Sequence, residues 1–292
     1  MYSFYIILLF NEKMKFAKVR KLHNLLKFYL LKRCQTIAHL PFVYLPFTIE
    51  VISAHSIFKL AHFQIQIKIC TFALLNLSQM KKLIRENSYY YITCLFLFVC
   101  TSVLLLFLSK IEVTYWVNAH YSSLLDKIIL VVDNMGTLPF AIIALAFLWI
   151  FKGRKIAFYG LICFISVSLF TIFLKFIVFP GTPRPTVLLE DMLPLRLIEG
   201  VIQRKTESFP SGHTSSAFAI ATFFALVFPR KRWHVLFAVL AASVGYARIY
   251  LSQHFITDVY IGMLIGITLT TLIYYLLTDN VFTDKQKKHP VC

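Results

Sequence analysis

The chain has 292 residues, of which 59% are hydrophobic and only 15% charged, too few charges to clothe a water-soluble globule. Its 30 Lys and Arg outnumber 13 Asp and Glu, for a formal net charge of +17, but these cations punctuate apolar runs of membrane-spanning length. A soluble enzyme, a disordered tail and a compact nucleic-acid-binding module are excluded on those grounds.

Residues 1–79 are rich in Lys and Arg, hold only Glu12 and Glu50 as acids, and have apolar stretches without clean boundaries. Two readings of them stand: one span within 36–58, or an extension upstream of a start at Met80, where Met-Lys-Lys-Leu opens a basic flank. No cleavable signal or lipidation motif stands out. From Met80 onward the pattern is regular. A helix needs about 20 residues to cross the hydrocarbon, and six spans are predicted at 89–108, 130–151, 156–177, 211–229, 233–250 and 256–278. The fifth is the weakest, because Arg248 sits near its end. The expected fold is therefore all-α: a polytopic six-helix membrane bundle over 80–284, followed by a basic tail at 285–292. Cys34, Cys70, Cys94, Cys100, Cys163 and Cys292 have no ladder spacing, so neither a disulfide framework nor a zinc site is expected.

The short connections have a strong charge bias. Lys81, Lys82, Arg85, Lys152, Arg154, Lys155, Arg230, Lys231, Arg232, Lys285, Lys287 and Lys288 share one face with only Glu86, Asp279 and Asp284. The positive-inside rule makes that face cytoplasmic. The connections at 109–129, 178–210 and 251–255 are then expected on the exterior or periplasmic side.

Charge at the end of an apolar helix is costly unless it is paired or lines a cavity, and three clusters qualify: Lys175 with Arg184-Pro185, Pro210-Ser211-Gly212-His213, and Arg248 with His254 and Asp258. All three are expected on the outer face. Lys175, Arg184 and Arg248 offer charge and donor forks suited to phosphate oxygens. Ser211 and Gly212 open a helix whose first N–H groups attract an anion. His254 and Asp258, four apart, suit a nucleophilic imidazole oriented by a carboxylate, and His213 suits the acid that protonates the leaving oxygen. Each cluster taken singly also has a structural explanation: a snorkelling lysine, a proline-rich loop, a helix cap, a first-turn acid. Their joint occurrence on one face favours a phosphoryl site that requires no metal or cofactor.

These motifs resemble the membrane type-2 phosphatidic acid phosphatase (PAP2) superfamily, lipid phosphatases that share a catalytic core with vanadium haloperoxidases. The first motif stands here as Lys175 and Arg184-Pro185 with eight intervening residues in place of six; the second, Pro210-Ser211-Gly212-His213, is intact; the third is Ala247-Arg248, His254 and Asp258, with alanine for serine. The resemblance covers about 85–278 and implies a six-helix core. It implies phosphate binding by Lys175, Arg184, Ser211, Gly212 and Arg248, a His254 nucleophile, an orienting Asp258 and a His213 acid.

The expected activity is hydrolysis of a lipid phosphate or diphosphate at the extracytoplasmic face of a bacterial inner membrane, through a phosphohistidine. The substrate is a membrane lipid, and no nucleic-acid partner is expected. Undecaprenyl diphosphate, phosphatidic acid, phosphatidylglycerol phosphate and a lipid A phosphate remain open. Two alternatives stand beside it: a lipid-linked phosphotransferase using the same site, and a small anion transporter or channel. The long connection 181–209 is expected to carry a surface helix or lid that helps select the head group.

Overall fold

The computed structural model describes residues 78–189 and 195–288, with side chains to residue 278; these lie in one compact unit, Leu75–Cys292. The span considered at 36–58 lies outside the described residues. Among the described residues every regular element is a helix.

A helical segment at 78–86 ends at Asn87, whose amide donates to Leu83 O at 2.9 Å. Helix α1 (Ser88–Phe107) follows. Helix α2 (Lys110–Ala119) opens with a capping box, in which Ser109 Oγ accepts from Glu112 N–H and the Glu112 carboxylate accepts from Ser109 N–H at 2.7 Å. Helix α3 (Ser123–Asp133) is capped by Ser122 and runs into a 3₁₀ turn at Asn134–Gly136. Then come α4 (Leu138–Lys152) and α5 (Arg154–Phe173), the latter prolonged by a π-helical turn at Leu174–Val178. After a single turn at Pro185–Leu188 the chain forms α6 (Gly212–Val227), α7 (Lys231–Tyr250) and α8 (Ile256–Lys288). The connection expected at 109–129 is thus mostly helical, its polar residues Ser109, Glu112 and Ser122 serving as caps.

Among the described residues four helices are long and apolar enough to cross a membrane: Ser88–Phe107, Arg154–Val178, Lys231–Tyr250 and Ile256–Thr278. The second predicted span is not one helix. Ser123–Gly136 and Leu138–Lys152 meet at 64°, and they make a fifth span only if the bent pair is counted as one. Pro139 in the first turn of α4 cannot donate to a preceding turn. At Gly136 a Cβ would stand 2.8 Å from His213 Cβ, so the bend brings the chain against the start of α6. The fourth predicted span is shorter than expected, at 16 residues, because Ser211 caps it and Pro229 follows its end.

Helix α6 is the axis of the bundle, with nine of its residues buried, among them Ala217, Ala219, Ala221 and Ala225. It packs on α8, α7 and α5. Without side chains at Gly262 and Gly266, α8 lies backbone to backbone against it: a Cβ at these positions would come within 2.8 Å of Ser211 O and 2.6 Å of Ser215 O. Helix α1 buries only Tyr90 and Cys94 and is tied on by hydroxyl pairs, Tyr90–Thr222 at 2.7 Å, Tyr91–Thr271 at 2.8 Å and Ser102–Tyr260 at 2.8 Å. Such bonds contribute about 0.6 kcal/mol each in a bilayer. Cys94, Cys100 and Cys163 are free thiols; Cys34, Cys70 and Cys292 lie outside the described residues.

Candidate active site

The connections after α2, α5 and α7 meet at one end of the bundle. The Asn118 amide donates to Arg196 O at 2.8 Å and to Ser252 Oγ at 3.1 Å, while Arg184 Nη1 donates to Gln253 O at 2.7 Å. Every residue singled out from the sequence lies at this end.

His254 precedes α8 and does not lie on it; the turn brings its ring onto the first helical turn. Nδ1 faces Asp258 Oδ2 at 3.3 Å, and both side chains are buried. That carboxylate oxygen also accepts from Ser208 Oγ at 2.5 Å and from Phe255 N–H at 3.1 Å, half of a capping box. Three contacts fix the carboxylate, which in turn selects the Nδ1–H tautomer and leaves the Nε2 lone pair outward. Arg184 Nη1 lies 3.4 Å from that nitrogen. Burial first, then the charges of Arg248, Arg184, Lys175 and His213, holds His254 well below the ordinary histidine value of 6.5. The ring is therefore neutral at neutral pH.

The three cations converge despite the longer spacing of the first motif. Lys175 sits in the π turn, where Phe179 N–H donates to Leu174 O at 2.8 Å, and Gly181 turns the chain at φ 71°. The wide turn and the glycine absorb the extra residues. Lys175 Nζ and Arg184 Nη2 then both donate to Glu207 O, at 2.8 and 3.1 Å. Arg184 Nε donates to Thr206 O at 2.8 Å. These carbonyls are aimed inward by a left-handed Glu207, φ 59°, an uncommon conformation for a residue with a Cβ. Burial, then the neighbouring Arg248 and Arg204, pulls Arg184 down to about 10, so it remains a cation at neutral pH.

Arg248 is gripped by Asp133, whose two oxygens both accept from Nη1 at 2.8 Å. Among the described residues Nη2 has only a long 3.4 Å contact with Gln253 Oε1, and Nε is buried without a partner. One edge of the guanidinium is therefore held and the Nε–Nη2 edge is left for another acceptor.

Ser211 is fully buried as the N-cap of α6. Its Oγ accepts from Thr214 N–H at 3.4 Å and from Thr214 Oγ1 at 2.8 Å, and its own N–H donates to Asp258 O at 3.0 Å. A Cβ at Gly212 would meet only Lys175 Cε, at 3.8 Å, so the lysine stem passes over the helix start. His213 is half-buried on the same turn and close enough to His254 to influence its titration.

The sequence reading missed Ser208, Asp133, Gln253 and the Glu207 carbonyl. Asp133 had a signal, being an acid inside an apolar run that requires a cation. Ser208 and Glu207 had none, because their roles arise from how 205–208 pairs with 182–184, through Arg184 N–H to Lys205 O at 3.0 Å and Ser208 N–H to Thr182 O at 3.1 Å. The expected surface helix in 181–209 reduces, among the described residues, to the single turn at Pro185–Leu188.

Residues 156–282 match the model of the PAP2 superfamily. A lipid A 1-phosphatase of Porphyromonas gingivalis is 39% identical over 79 residues, 26% of this chain and 18% of that relative. The undecaprenyl-diphosphatase BcrC of Bacillus subtilis is 24% identical over 164 residues, 55% of this chain and 79% of the relative. The crystal structure of Aquifex aeolicus LpxE is 31% identical with a TM-score of 0.49, covering 56% of this chain and 92% of that one.

Proposed function

The chain belongs to the PAP2 superfamily, and from that membership and the site geometry we propose that it is a membrane lipid phosphatase acting through a phosphohistidine on His254. The observation that carries the reading is the His254 ring itself: neutral, oriented by Asp258 through Nδ1, with Nε2 facing a ring of cations. Lys175, Arg184 and the free edge of Arg248, with the first N–H groups of α6, bind the phosphoryl oxygens and offset charge in the transition state.

In the first step the Nε2 lone pair attacks phosphorus, and the bond to the lipid oxygen breaks as His213 protonates that oxygen. In the second, His213 takes a proton from water, the hydroxide attacks phosphorus, and the P–N bond breaks to restore His254 and release phosphate. Arg184 Nη1 must turn from Nε2 to the phosphate for the first step to begin. The chain's own cations suffice for this chemistry, so turnover is expected to persist in EDTA.

The membrane arrangement belongs to the same reading. We take the bent pair α3–α4 as the second span and α6 as a short fourth, which gives six spans over 80–284 with the basic connections in the cytoplasm and the site facing outward in a bacterial inner membrane. Substrate candidates are lipid A, undecaprenyl diphosphate, phosphatidylglycerol phosphate and phosphatidic acid. Clustering of the charged groups at one end, not through the membrane depth, favours a phosphatase over an anion channel.

The test is phosphate release by purified protein in detergent with EDTA, across those four lipids, with and without a lipid acceptor. At least one is expected to be hydrolysed, with an acid-labile phosphoprotein trapped during turnover. His254→Ala is expected to abolish both signals. Full turnover in that variant sinks the assignment, and phosphate appearing on the acceptor instead of in solution makes the enzyme a transferase.

A further inference from the structure

A second cavity system lies at the opposite end of the bundle. Helix α6 has 16 residues, so the two ends are separated by about 24 Å along its axis. Where the end of α4 meets the α6–α7 corner there is a cavity of about 530 Å³, lined among others by Phe147, Lys152, Phe228, Arg230 and Trp233. The walls are built and held. Lys152 Nζ sits 4.3 Å from the centre of the Phe228 ring and donates to Val227 O at 3.3 Å, and His234 Nε2 contacts Phe228 O at 2.8 Å. Phe224 and Phe237 meet edge to face in the same cluster, with ring centroids 5.6 Å apart.

Those two rings also wall a second cavity of about 120 Å³, which runs between α4, α6 and α7 past Ala217, Ala221 and Ala241 to Met135. The two spaces adjoin at the Phe224 and Phe237 rings, with a cationic mouth on one side and a narrow apolar slot on the other. Outside the mouth stand Arg154, Lys155, Lys231 and Arg232, all exposed, and neither 152–155 nor 228–233 contains an acid. Lys152 commits one of its three ammonium donors to Val227, and Arg230 is exposed at the rim.

A ligand that matches this sequence of surfaces carries a negative charge on a short polar head and a long hydrocarbon chain. A choline or ethanolamine head would bring its own cation to a mouth lined by Lys152 and Arg230, whereas an anionic head gains from both. We propose that this cavity is a binding site for an anionic phospholipid of the leaflet opposite the active site, with the phosphate between Lys152 and Arg230 and one acyl chain in the slot. Phosphatidylglycerol, a phosphodiester, is a suitable probe because it offers no terminal phosphate for hydrolysis.

Trp233 lines the mouth and reports occupancy. In a Trp116→Phe, Trp149→Phe background the full chain in detergent is titrated with phosphatidylglycerol or phosphatidylcholine carrying brominated acyl chains, which quench tryptophan on contact. Saturable quenching by phosphatidylglycerol is expected at concentrations at least about tenfold below those needed for phosphatidylcholine. Lys152→Gln with Arg230→Gln is expected to remove that preference, whereas Arg154→Gln with Lys155→Gln, outside the cavity, is expected to retain most of it. Equal quenching by both lipids in the parent overturns the proposal. So does a preference that survives the first pair of substitutions, or one that is lost equally with the second.

Discussion

Asp133 takes no part in the proposed bond-making steps yet sets the position of Arg248, one of the three cations proposed to hold the phosphoryl group. Asp133→Asn keeps the shape and removes the charge that holds Nη1 in place. A hydrogen bond to a charged group contributes about 1.5–3 kcal/mol, so kcat/KM on a lipid phosphate is expected to fall roughly 10- to 100-fold, with the trapped phosphoprotein still formed. The steady-state comparison of the two proteins checks this. His254 supplies a second expectation. Its value lies below 6.5 in the folded protein, so the acid limb of kcat/KM, which reports the free enzyme, falls below the ordinary histidine range. As pH drops below 6.5 the unfolded chain takes up this proton before the folded one does, so folding stability is also lost in that window. An acid limb of kcat/KM with its midpoint at or above 6.5 contradicts the first statement, and an unfolding free energy that does not fall as pH drops below 6.5 contradicts the second. Lys175, Arg184, His213, Arg248, His254 and Asp258 of the candidate site were legible because charge in apolar sequence is rare, whereas Asp133 carried the same mark and was passed over. Ser208 and the Glu207 carbonyl were not legible, because a hydroxyl or a peptide oxygen carries no such mark and gains its role only when two distant loop strands pair.

At the scale of helices, the close approach of α6 and α8 decides whether His213 and His254 face one another. Gly262 and Gly266, four apart on α8, make that approach. Gly266→Leu forces a side chain into the space occupied by Ser215 O and Phe218 Cβ. Overpacking of this kind costs about 1–3 kcal/mol, and a lower thermal unfolding midpoint in detergent is the expected readout, with activity falling in parallel. Span boundaries were legible to within a few residues where the apolar run was uninterrupted, as in α1, α5 and α7. The bend at Asn134–Leu138 was not read, although Pro139 marks the start of a new helix there; its direction is tertiary, since the chain turns to seat Gly136 against His213. The π turn at Leu174–Val178 escaped for a similar reason, since no residue preference distinguishes it from the α-helix it extends.

For the molecule as a whole, the arrangement places three connections at one end and the basic loops at the other. Gly200→Cys is expected to react with a membrane-impermeant thiol reagent on intact spheroplasts of a protein freed of its own cysteines, and Arg154→Cys only after the membrane is opened. The reverse pattern would invert the proposed orientation while leaving the site intact. The shortness of α6 has a consequence for how such a protein meets its substrate. Placed as the proposed fourth span, this helix of about 24 Å would fall short of the roughly 30 Å of hydrocarbon, which would set the histidine at its tip beneath the plane of the head groups. A lipid reaches that depth by sliding sideways within its own sheet, never by dissolving. Turnover then follows the mole fraction of substrate in the bilayer, and diluting it with inert lipid slows the enzyme even when the total amount in the tube is unchanged.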